Sequence, residues 1–230
     1  AGDDEINLGN GKGIDDVTSL ASVLIADANK VNVDDGVTVT AAGGDISITT
    51  NIGDIDLDGS GDDVTFTTTG GTGNISLASI NDGGSDTDLV ILAAAGNGAI
   101  DVLDIGGVNP VESVQVRTLS GGAGVINVDA ITVGGSETFG GEKVGILLEE
   151  ANAPFDDDVG YQFDVADQGI IIEGTLTSTV FGVPAGSIYI ITDGDLVVDQ
   201  DMTVTGGVLQ FGDGPLNDLT SSGDQSVGDI

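Results

Sequence analysis

Gly44-Asp45-Ile46-Ser47-Ile48 sets the pattern from which the fold is read, and it is followed by Gly53-Asp54-Ile55-Asp56-Leu57 and Gly73-Asn74-Ile75-Ser76-Leu77. The same shape returns as Gly98-Ala99-Ile100-Asp101-Val102, Gly124-Val125-Ile126-Asn127-Val128, Gly186-Ser187-Ile188-Tyr189-Ile190, Gly194-Asp195-Leu196-Val197-Val198 and Gly207-Val208-Leu209-Gln210-Phe211. In each copy two aliphatic residues stand two apart. That spacing puts them on one side of a strand, with the polar residue between them on the other. The leading glycine permits a sharp turn before the strand. Each copy therefore reads as one short strand with an inner and an outer face.

Spacings between copies are irregular but gather near one or two strands per unit of roughly 20–25 residues, the behaviour of a solenoid whose insertions loop out between coils. At a strand spacing of ~4.8 Å, about ten coils would make a rod on the order of 50 Å long. Composition agrees with a narrow stacked interior. Aromatic residues make up only 3% of the chain, so Val, Ile, Leu, Ala and Thr must fill the core. With no cysteine there is no disulfide framework, and stability has to come from packing, backbone hydrogen bonds and bound cations.

The chain carries 39 acidic residues against four basic ones (Lys12, Lys30, Arg117 and Lys143), for a net charge of −35. Mean hydropathy is nevertheless positive, at +0.22. Disorder at such charge normally comes with few aliphatic residues, so these acids are expected to coat a folded body. The absence of histidine and cysteine, with a single arginine, removes most proton-transfer, nucleophilic and anion-clamping chemistry. Nucleic acid and anionic membrane surfaces are poor partners for so negative a surface. No run approaches the ~20 apolar residues of a spanning helix, residues 89–95 and 170–172 being the longest local candidates. Self-repulsion at this charge favours a saline or calcium-containing exterior. A start at Ala1, with Met202 as the only methionine, reads as a processed or excised piece.

Two stretches depart from the pattern. Within residues 14–24, Ile14, Val17, Ala21 and Leu24 fall at helical spacing and suggest a helical turn or cap, although Val23-Leu24-Ile25 and residues 30–33 read as strands. Residues 149–158, with Glu149, Glu150, Asp156, Asp157 and Asp158 around Pro154 and Phe155, read as an exposed loop or a boundary between subdomains. The division expected is an N-terminal cap or assembly segment at 1–35, a repetitive solenoid at 36–148, a second β subdomain continuing the stack at 149–212, and a tail or linker at 213–230.

Asn10-Gly11-Lys12-Gly13-Ile14-Asp15-Asp16-Val17 and Gly83-Gly84-Ser85-Asp86-Thr87-Asp88-Leu89-Val90 approach the calcium-binding nonapeptide of β-rolls, in which glycines free backbone carbonyls and an aspartate adds charge for a hard cation. Asp15, Asp16, Asp86 and Asp88 are the candidate ligands, and Ca2+ the candidate cofactor. The competing reading is an Asp-rich turn that bonds its own backbone. Asp34-Asp35, Asp62-Asp63 and Asp199 with Asp201 could be carboxylate pairs of a carbohydrate-active enzyme. In so acidic a chain close pairs arise everywhere, and there is no tryptophan platform for a sugar. The reading is of a protein that is not an enzyme.

The phrase Gly134-Gly135-Ser136-Glu137-Thr138-Phe139-Gly140-Gly141, set among strand runs such as residues 44–49 and 186–192, resembles the repeat regions of filamentous haemagglutinin-like surface proteins over roughly residues 36–212. That resemblance implies a right-handed parallel β-helix, secretion, and a role in adhesion or in cell-surface fibres. The expectation is thus an all-β, parallel right-handed β-helix, extracellular or at the cell surface. It would self-associate into a fibre through exposed β edges, with Ile6, Leu8, Val204 and Leu209 as assembly residues. One alternative is a ligand-binding module of a large adhesin, meeting surface glycans or receptors. Another is a β-sandwich pilin-like subunit donating a strand from residues 6–8 or 203–211.

Overall fold

The computed structural model describes residues 5–9, 16–58, 63–70, 73–82, 87–93, 98–118, 125–134, 137–139, 142–150, 170–172, 176–179, 187–191, 196–198, 202–205, 209–212 and 225–227. The chain winds round three faces in turn. Strand β1 (Glu5–Leu8) lies on the first face, β2 (Val17–Ser19) on the second and β3 (Val23–Ala28) on the third, and β4 (Lys30–Asp34) returns to the first. The circuit second, third, first is repeated by β5 (Thr38–Ala41), β6 (Ile46–Thr50) and β7 (Ile55–Asp58), and then by β8 (Val64–Thr68), β9 (Ile75–Leu77) and β10 (Ile80–Asp82). In the next circuit β11 (Asp88–Ala93) and β12 (Ile100–Val102) are followed on the first face by Ile105 alone, bridging Ile80 and Ile131. Then come β13 (Ser113–Thr118), β14 (Ile126–Val128) and β15 (Ile131–Val133). A hairpin of β16 (Glu137–Phe139) and β17 (Glu142–Glu150) leads to β18 (Ile170–Ile172) and β19 (Leu176–Thr179), then β20 (Ser187–Ile191), β21 (Leu196–Val198), β22 (Met202–Thr205), β23 (Leu209–Gly212) and β24 (Gln225–Val227).

Like faces stack in parallel register. Ile75 pairs with Ile46 on one side and with Ile100 on the other, and Ile100 pairs in turn with Ile126. The third face becomes an 8-stranded parallel sheet, and the second a 9-stranded sheet in which β16 is the one antiparallel member. This is an all-β parallel solenoid. The alternative of a β-sandwich with a donated strand is overturned, because a sandwich is built from antiparallel hairpins and here only β16 with β17 pairs that way among the described strands. The helical turn expected within residues 14–24 is corrected too. Val17–Ser19 and Val23–Ala28 are strands, and Leu20 and Leu24 are 89% and 71% exposed, so the helical spacing buries no stripe.

The coil length agrees with expectation where loops are short: Ile55 pairs with Ile80 and Val64 with Leu89, 25 residues on in each case. Between Ile126 and Ile170 the step is 44 residues. Such insertions leave fewer rungs than the ten expected from an even division. The Gly-led copies are also not one per coil. Gly44 precedes β6 on the third face while Gly53 precedes β7 on the first, so the same local phrase serves different faces.

Inside, aliphatic residues stack rung on rung. Val39, Phe66, Ile91 and Val116 form one column behind the second face, and Ile46, Ile75, Ile100 and Ile126 another behind the third, all fully buried. At the corner between those faces the rungs are tied by side chains. Ser22 Oγ accepts the Asp45 N–H (3.1 Å), Asp45 Oδ1 the Asn74 N–H (2.8 Å), and Asn74 Oδ1 the Ala99 N–H (2.9 Å).

Candidate functional site

The sheets run unbroken through the described coils, so their terminal strands are the places where backbone donors and acceptors stand unmatched by a further rung. At one end are β1, β2 and β3, which pair only with β4, β5 and β6 among the described strands. At the other are β22, β23 and β24, which pair with β19, β20 and β21. Unpaired strand edges are templates for another strand.

The four assembly candidates fall at these two ends. Ile6 and Leu8 lie in β1, with Leu8 buried in the core and Ile6 packed partly against it. Val204 lies in β22 and Leu209 in β23. Sequence reasoning missed Leu20 and Leu24, which stand exposed on the first rung of the second and third faces. The signal was available. In Val23-Leu24-Ile25 the alternation turns Leu24 outward, into a column continued by Ser47, Ser76, Asp101 and Asn127.

The calcium candidates are not gathered into one cluster. Asp15 and Asp86 lie outside the described residues. Asp16 Oδ1 accepts the N–H of Thr38 on the next rung at 3.2 Å, as a turn aspartate does. Asp88 begins β11 and is buried, and its Oδ1 accepts the Ser113 hydroxyl at 2.5 Å. The strands β5 and β8 stand between β2, which Asp16 precedes, and β11. Among the described residues no group of three or more acidic side chains is arranged to hold a metal. Of the carboxylate pairs, Asp34 ends β4 with Asp35 beside it, Asp63 is exposed before β8, and Asp62, Asp199 and Asp201 lie outside the described residues.

The acids that do come together line the corner between the third and first faces. Asp54, Asp104 and Asp129 follow one another up this corner, and the Asp104 carboxyl is raised above the ordinary range. Partial burial is the main cause, repulsion from Asp129 the next, and Asp54 adds a little, while the Ala130 backbone N–H pulls the other way. On the first face outside this corner, Lys30 forms an ion pair with Asp56, and Asn32 Nδ2 donates to Asn7 Oδ1 at 2.7 Å. Side-chain ladders thus run up the outside as the aliphatic columns run up the inside.

Comparison with protein-family models, with curated proteins and with solved structures gives no match. Function is argued from this chain's own geometry. The arrangement offers long parallel ladders, open edges at both ends and an acidic exterior. No helix among the described residues is long and apolar enough to cross a membrane.

Proposed function

We propose that this protein is a structural and adhesive element of the cell exterior, a rod that joins others of its kind through its terminal β edges. The observation that carries the reading is the parallel ladder itself, with one-sided strands β2 and β3 at one end and β23 and β24 at the other. A parallel stack has a direction, so an edge at one end can receive only the opposite end of a second copy. Such head-to-tail contacts do not close on themselves and give filaments. Exposed Leu20 and Leu24 on the first rung add apolar surface to that edge. The net charge of −35 opposes close approach, so assembly is favoured by salt or divalent cations. This reading agrees with the resemblance to filamentous haemagglutinin-like proteins. The second reading, a module of a large secreted adhesin that meets glycans or receptors with its lateral faces, draws on the same rod.

Electron microscopy of the purified chain in millimolar calcium separates the two. Filaments with a repeat equal to one rod, lost in a Leu20→Lys, Leu24→Lys variant, are the expected result. Discrete short rods under all salt conditions reject end-to-end assembly and leave the adhesin module.

A further inference from the structure

Register places one carboxylate where the fold puts aliphatic residues. On the inner side of the first face Leu8 pairs with Val33, Val33 with Leu57, and Leu57 with Asp82. The first three belong to the buried core, and Asp82 is itself only 3% exposed. A carboxylate in such a column is costly unless its charge is met. The Thr87 N–H donates to Asp82 Oδ2 at 3.1 Å, and the Asp82 N–H donates to the Asn109 carbonyl at 3.2 Å.

Thr87 supplies a second, separate observation. It is 0% exposed, and its Oγ1 is buried with no hydrogen-bond partner. Alternation with Leu89 and Ile91, both core residues, turns the Thr87 side chain inward like that of Asp82, at the same corner between the first and second faces. Two oxygens, one of them charged, therefore point into one enclosed corner. Buried hydroxyls are rarely left without a partner.

We propose that Asp82 and Thr87 Oγ1 are ligands of an internal calcium ion, whose remaining shell is made of backbone carbonyls at this corner. Calcium is a hard cation that accepts carboxylate, hydroxyl and carbonyl oxygens together and tolerates irregular geometry, whereas magnesium demands a near-ideal octahedron. Neutralising one buried negative charge would fasten β10 and β11 at a point where the hydrophobic column is interrupted. The ligands differ from those suggested by the glycine-rich phrases, and the site is independent of end-to-end assembly.

The test is thermal unfolding of the whole chain in calcium chloride and in magnesium chloride of equal ionic strength, for wild type, Asp82→Asn, Thr87→Val and an outer-corner control, Asp54→Asn. The expected result is a calcium-specific rise in Tm of about 5 °C or more at a hundredfold excess over Kd. Asp54→Asn keeps that rise, Asp82→Asn loses it, and Thr87→Val is less stable than wild type in calcium. If Thr87→Val instead melts higher than wild type in both salts, the hydroxyl was an unmet polar group or held only a water, and the proposal fails. A wild-type Tm that responds equally to both cations also overturns it, since that is screening of the outer acids. Should Asp82→Asn not fold, Thr87→Val still decides.

Discussion

The backbone N–H of Asn74 donates to Asp45 Oδ1 at 2.8 Å, across the gap between successive rungs of the third face. Asn74 then offers its own Oδ1 to the Ala99 N–H, so each side chain caps the start of the strand above it. The glycine-led phrase therefore does two things. Its aliphatic pair fills the core, and its second residue ties the corner. Asp45→Ala leaves the Asn74 N–H with water alone and is expected to lower stability by about 1–2 kcal/mol, while Asp45→Asn retains an acceptor and costs less. Thermal melts of the two variants check the order, and equal Tm values would mean that the corner bond contributes nothing.

Glycines at the corners are set by how closely the rungs approach. A Cβ built on Gly70 would lie 2.2 Å from the Ala42 carbonyl oxygen, a backbone atom with no freedom to move aside. On Gly107 the nearest heavy atom would be the Asp104 Cβ at 3.6 Å, an ordinary contact. Gly70→Ala is expected to cost about 1–3 kcal/mol, by prising adjacent rungs apart. Gly107→Ala should stay within about 0.5 kcal/mol of wild type. Circular dichroism melts of the pair distinguish a steric need for glycine from a general preference for it in turns.

Phe66 is the largest fully buried side chain, stacked between Val39 and Ile91 behind the second face. Phe66→Ala leaves a cavity in a narrow interior whose neighbours are held by their own ladders, and it should destabilise by about 3–5 kcal/mol. Phe66→Leu should recover most of that. Because each rung touches mainly its neighbours, the loss should be local, with faster amide exchange in β5, β8 and β11 than in β14 or β18. Uniform acceleration along the whole rod would instead show a single cooperative unit.

The strands themselves were legible in the sequence, because Ile46 and Ile48, or Ile75 and Leu77, keep a strict period of two wherever one face is buried. The winding was not. Gly44 and Gly53 introduce near-identical phrases, and nothing local tells that one strand lies on the third face and the other on the first. Asp82 was hidden for a different reason. Ile80-Asn81-Asp82 reads as a strand running into a polar turn, and only the pairing of Asp82 with Leu57 reveals that its side is the inner one. Asp16 and Asp88 drew notice as parts of glycine-rich phrases, yet each is engaged with the adjacent rung, Asp16 through Thr38 and Asp88 through Ser113. Composition can propose ligands, but register decides which oxygens meet.

Asp104 gives the fold a definite response to pH. Partial burial raises its carboxyl first, and repulsion from Asp129 and then Asp54 adds to this against the bond from the Ala130 N–H. The folded protein thus holds this proton more firmly than the unfolded chain does. Where the folded form binds the extra proton, stability falls as pH rises, from the ordinary carboxylate range near ~4 up through the raised folded value. The penalty is fully present at neutral pH and absent in acid, where both states are protonated. Asp104→Asn is therefore expected to melt higher than wild type at neutral pH, by at most about 3 °C for so solvent-accessible a site, with the difference vanishing in acid. Salt should narrow the gap only in part, because it screens Asp129 and Asp54 but not the loss of hydration. Melts across pH at low and high salt check both statements. A gap that persists unchanged in acid would assign the effect to packing of the amide rather than to charge.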